Sequence, residues 1–101
     1  MKYNKLVRDK IPDLIKQKGS TPVIKIASDE EYLGKLIEKF KEESDEFLKE
    51  FSEEELADLL EVIYAICDFK KINRENLEIL RKEKSEKRGS FKNKIILKET
   101  K

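Results

Sequence analysis

The chain has no histidine and no tryptophan, and its 101 residues include one cysteine, two prolines and three glycines. Without histidine, Ser-His-Asp and Cys-His catalysis, imidazole base chemistry and the HExxH zinc site are all excluded. The lone Cys67 can form neither an internal disulfide nor a zinc cluster. Between Ile66 and Asp68 it reads as a small packing hydrophobe. No apolar run approaches the ~20 residues that span a bilayer, and the segment from Lys2 onward lacks the apolar stretch of a signal peptide. A cytoplasmic protein without a membrane partner is therefore expected. Charged residues make up 45% of the chain, yet the net charge is +1. Signs so evenly mixed argue against a nucleic-acid partner. Any chemistry must come from carboxylates, lysines, arginines, tyrosines and a metal ion.

The length predicts a single domain, 1–101, whose core is small enough that forming a homodimer would help. A first helix is expected from about Asp9 to Lys18, with Pro12 in its first turn and Gly19 as its stop. Ser28-Asp29-Glu30-Glu31 reads as a capping box opening a helix to about Lys49, and Ser52-Glu53-Glu54-Glu55 as another opening an apolar helix to about Phe69. Asn73 caps a fourth helix, about Arg74 to Lys87, ended by Gly89. Val23–Ala27 and Lys94–Lys98 alternate like strands and are expected to pair. The expected fold is all-α, an antiparallel bundle of about four helices, with a small accessory two-stranded β-ribbon.

The most informative residues are acidic. Glu42-Glu43-Ser44-Asp45-Glu46 and Glu55-Leu56-Ala57-Asp58 place carboxylates where the helical stripes call for apolar side chains. Glu43 with Glu46, and Glu55 with Asp58, are each three residues apart and share a helix face. A turn at Phe51-Ser52 would set the two pairs face to face. Four facing carboxylates repel one another, and hard oxygen donors suit Mg²⁺ or Mn²⁺ better than zinc or copper. Plainer explanations exist for single residues. Glu55 is also the glutamate of the Ser52 capping box, and Lys39 lies four residues before Glu43 as a possible helix ion-pair partner. Asp58 is harder to explain that way, because it lies within the apolar stretch Leu56–Leu60. Glu61 extends the same face as a further ligand, a support behind the ligands, or an exposed residue.

The order E-E-x-x-E then E-x-x-D resembles the signature of the all-α nucleoside triphosphate pyrophosphohydrolases, MazG-like and phosphoribosyl-ATP pyrophosphohydrolase-like proteins included. The opening Tyr3-Asn4-Lys5-Leu6-Val7-Arg8-Asp9-Lys10-Ile11-Pro12 and the ending Lys84-Ser85-Glu86-Lys87-Arg88-Gly89-Ser90-Phe91 resemble a small stand-alone branch of that superfamily. The resemblance implies a Mg²⁺-dependent enzyme that cleaves a nucleoside triphosphate between the α and β phosphates. Glu43, Glu46, Glu55 and Asp58 would hold the metal, and Glu42 would orient or deprotonate water. It also implies that Lys39, Lys84 and Arg88 contact phosphate and that Asn4, Lys5, Arg8 and Lys10 face the substrate, with Asp9 available to base or sugar. Two other readings stand beside it: a phosphoribosyl-ATP or other specialised pyrophosphohydrolase, and a non-catalytic helical module with an acidic interaction face.

Overall fold

In the computed structural model, which describes residues 4–101, four helices follow one another: α1 (Ile11–Gln17), α2 (Asp29–Glu50), α3 (Glu53–Lys70) and α4 (Arg74–Arg88). The first three residues, including Tyr3 of the opening motif, lie outside the described residues. Three of the helix starts are capped in the same way. Ser28 Oγ accepts from the Glu31 N–H, Ser52 Oγ from the Glu55 N–H at 3.1 Å, and Asn73 Oδ1 from the Asn76 N–H. Each cap satisfies a backbone donor that the helix itself leaves free. Acidic residues fill the first turns of α2 and α3 and lysines their last, which complements both helix dipoles.

α1 is shorter than the sequence suggests, because Lys10 at its N-cap offers no side-chain acceptor. The preceding residues instead form a turn in which the Ile11 N–H reaches the Arg8 carbonyl. Gly19, with φ +91°, ends it as expected. The other three helices end within a residue of their sequence-derived limits.

A two-residue connection turns α2 back along α3. Phe51 adopts the left-handed conformation, with φ 52° and ψ 30°, and Ser52 is already the N-cap of α3. A bulky residue with a Cβ is uncommon in that region. Here the ring of Phe51 packs against Phe47, their centroids 4.8 Å apart, and this contact accompanies the strained backbone. At the far end of the hairpin, Tyr32 of α2 meets Phe69 of α3 edge-on at 5.5 Å. Between these two aromatic contacts lie the buried residues Leu36, Val62 and Cys67. Cys67 is thus a packed, unoxidised thiol, as its sequence context predicted. The Tyr32–Phe69 pairing also marks the register: eleven residues inward along each helix stand Glu43 and Asp58.

Nothing else packs as the hairpin does; α2 against α3 is the dominant contact between elements among the described residues. The Cα radius of gyration is 18.3 Å, against about 13 Å for a compact chain of this length. Leu56, Leu60, Leu77 and Leu80 remain exposed.

The expected β-ribbon does not form. Among the described residues the regular elements are helices, with no strand, and neither Val23–Ala27 nor Lys94–Lys98 forms one; Lys94 even takes a left-handed backbone, φ 59°. Alternation and β-branching describe only half of what a strand requires; the other half is a ladder partner and a face to cover. Neither segment has them: Val23 is 98% exposed, and Ile95, Ile96 and Leu97 are also open. The bundle expectation holds for the helical content alone.

Candidate metal centre

The register of the hairpin brings together carboxylates that are far apart in sequence. One oxygen each from Glu43 on α2 and from Glu55 and Asp58 on α3 lies within 4.8 Å of the others, and all three side chains are half-buried. Glu55 reaches this position because its backbone, not its carboxylate, serves the Ser52 cap. Capping and cluster membership are therefore both met by one residue.

The electrostatics show an excess of negative charge. The Glu55 carboxyl is held above its ordinary value of 4.5, first by loss of solvent and then by repulsion from Asp58, Glu46, Glu50 and Glu43. Cations close in from two sides. Lys39, 19% exposed, sits 3.6 Å from Glu42 and 3.7 Å from Glu43, so the helix pairing read from sequence is present. From the N-terminal segment, Arg8 Nη2 donates to Asp58 Oδ1 at 2.8 Å and Lys5 Nζ to Glu42 Oε1 at 3.3 Å. Beside the carboxylates is a cleft of about 250 Å³, lined by Val7, Arg8, Ile11, Lys39, Glu43 and Asp58.

The other expected site residues stand as follows. Glu46 is not one of the three converging carboxylates; it faces Lys49 at 3.8 Å, though near enough to Glu55 to be felt by it. Glu42 lies beside the cluster, bound to Lys5 and Lys39. The Asn4 backbone carbonyl accepts from Lys35 Nζ at 2.7 Å. Lys10 is the exposed N-cap residue of α1. Lys84 and Arg88 are exposed on α4 and do not line the acidic cleft; Arg88 borders a separate depression with Gly89, Phe91 and Ile95. Glu61 is exposed.

Sequence reasoning missed Lys35, although its position one helical turn before Lys39 on α2 was a usable signal. It also missed the specific partners of the N-terminal cations, for which no local pattern exists.

No family model matches the chain, and no solved structure matches it. An uncharacterized protein of Mycolicibacterium smegmatis is 55% identical over 38 residues, which cover 38% of this chain and 39% of that protein. The chain thus matches well under half the length of that relative.

Hard oxygen donors, negative charge that Arg8 and Lys39 offset only in part, and close spacing are the conditions a small divalent cation requires. Around Mg²⁺ neighbouring oxygens stand about 2.9 Å apart and opposite ones about 4.2 Å, so three carboxylates whose oxygens lie within 4.8 Å of one another close in by side-chain rotation to share one ion. The residues present fit the ion. Among the described residues no helix is long and apolar enough to cross a membrane.

Proposed function

We propose that this chain is a Mg²⁺-dependent nucleoside triphosphate pyrophosphohydrolase, with Mn²⁺ able to substitute. The observation that carries this reading is the convergence of Glu43, Glu55 and Asp58 across the α2–α3 hairpin, in the order of the E-E-x-x-E and E-x-x-D motifs. Glu46 is proposed as a fourth ligand, one helical turn from Glu43.

When bound there, the cation would neutralise phosphate oxygens and acidify water. Glu42, beside the ligands, orients the attacking water and takes its proton. The water oxygen bonds to one phosphorus of the α–β bridge, the bridging P–O bond breaks, and a nucleoside monophosphate and pyrophosphate leave. Lys39 carries positive charge against the phosphate oxygens. Arg8, Lys5, Lys10 and Asn4 line the approach from the N-terminal segment. Lys84 and Arg88 are the remaining phosphate contacts; α4 is held to α3 at its start, where Arg74 stacks on Tyr64 and pairs with Asp68, so these two residues reach phosphate by α4 folding over the cleft or from a second copy.

A homodimer belongs to the same proposal. With Leu36, Val62 and Cys67 as its buried apolar residues and Leu56 and Leu60 of α3 exposed, the hairpin lacks a closed core. A second hairpin covering α3 would supply one. The proposed role, removal of aberrant nucleotides, follows from the resemblance alone.

The test is pyrophosphate release from a panel of nucleoside triphosphates and phosphoribosyl-ATP in Mg²⁺. A folded protein that turns over none of them would leave the acidic face to the non-catalytic reading.

A further inference from the structure

The N-terminal segment is not simply near the acidic centre; it occupies it. Arg8 reaches across fifty residues of sequence to a single oxygen of Asp58, at 2.8 Å. That carboxylate belongs to the converging set with Glu43 and Glu55. The segment is anchored independently, through Lys5 to Glu42 and through Lys35 to the Asn4 carbonyl. Its arginine is therefore the one charge of the strap that touches a member of that set.

We infer that residues 4–10 form a latch: Arg8 stands in for a divalent cation at Asp58, yields that carboxylate when the cation binds, and is thereby released to substrate phosphate. The inference rests on the cation-dependent reading above. Three observations carry it. First, the contact is made for exchange, because it is monodentate and its partners are 57% and 44% exposed; pairs so open to water hold only weakly. Second, a divalent cation held by Asp58 repels the guanidinium already paired with that carboxylate, which weakens the pair. Third, Arg8 itself lines the open cleft of about 250 Å³ beside Glu43 and Asp58, so a guanidinium freed from Asp58 stays within reach of a group bound there, and the anchors at Lys35 and Glu42 keep its shift short.

Isothermal titration with Mn²⁺ alone separates the possibilities. Arg8→Gln should bind Mn²⁺ about two- to fivefold tighter than wild type, the range that loss of one exposed competing pair allows, while Arg8→Lys stays near wild type. In saturating Mn²⁺, the same Arg8→Gln protein should show a raised KM for the nucleotide. A second readout needs no substitution: on Mg²⁺ addition, the Arg8 Nε–Hε NMR signal should move toward that of a free guanidinium. Mn²⁺ binding equal to or weaker than wild type in folded Arg8→Gln overturns the latch, as does an Arg8 signal that ignores saturating Mg²⁺. If wild type itself binds no Mn²⁺, the metal reading falls and takes the latch with it. If wild type binds and Arg8→Gln gains nothing, only the latch falls.

Discussion

Glu43 and Asp58 meet across the α2–α3 hairpin in the same register as Tyr32 and Phe69, eleven residues away along each helix. The acidic centre is thus a consequence of how the short turn and the packing of the two helices align them. Each of the following outcomes depends on that arrangement.

Asp58→Asn should cost at least about 100-fold in turnover, in line with loss of a ligand or its close support. It removes one charge from a repelling set and also weakens the Arg8 pair, so the metal-free fold should change little. Circular dichroism and a urea melt run beside the assay test the two halves separately. An active, folded Asp58→Asn protein would speak against the site.

Stability should depend on pH through Glu55. Its carboxyl is held above 4.5 in the folded chain, so folding favours its protonated form. The resulting stabilisation is complete below the unfolded value and is lost as pH rises through the folded one. Glu31 and Glu78 are held below 4.5 by Lys25 and Arg81, and they act in the opposite sense. The informative quantity is therefore the difference between wild type and Glu55→Gln without metal. Wild type should lose ground to the variant as pH rises above 4.5, and saturating Mg²⁺ should remove or reverse that loss. A pH-independent difference would contradict the repulsion.

The helices were legible because their start signals are local. Ser28, Ser52 and Asn73 each announce a helix whose cap bond depends on residues three positions away. The pairing of Glu43 with Glu55 and Asp58 was legible for a related reason, since two caps separated by a short turn leave the chain little choice but to reverse. The β-ribbon misled because Val23–Ala27 and Lys94–Lys98 have strand composition, while pairing depends on where α4 carries the second segment. The partners of Arg8 and Lys5 depend likewise on the path of the whole N-terminal strap. Non-local geometry of that kind leaves no periodic trace.

Ser52→Ala should destabilise the chain by about 1 kcal/mol, the usual cost of losing an N-cap oxygen. Because the same bond seats Glu55 at the start of α3, Mn²⁺ affinity should fall with it. Urea unfolding and titration on one sample check both effects. A normal melt with weakened metal binding would assign the serine to positioning alone.

Sedimentation equilibrium at micromolar concentration should show a dimer. Leu60→Lys, which puts a charge on the exposed face of α3, should shift it toward monomer and lower the melting temperature with it. A wild-type monomer that stays folded and active on dilution would mean that the hairpin sustains itself.

The most direct test of the central claim is pyrophosphate release from nucleoside triphosphates by wild-type protein in Mg²⁺, in Mn²⁺, in Ca²⁺ and in excess chelator. Mg²⁺ and Mn²⁺ should support turnover. Ca²⁺, larger and more loosely coordinated, should not, and chelator should abolish activity reversibly. Undiminished release in excess chelator, or none from any nucleotide with Mg²⁺ present and the protein folded, would contradict a cation-dependent centre at Glu43, Glu55 and Asp58.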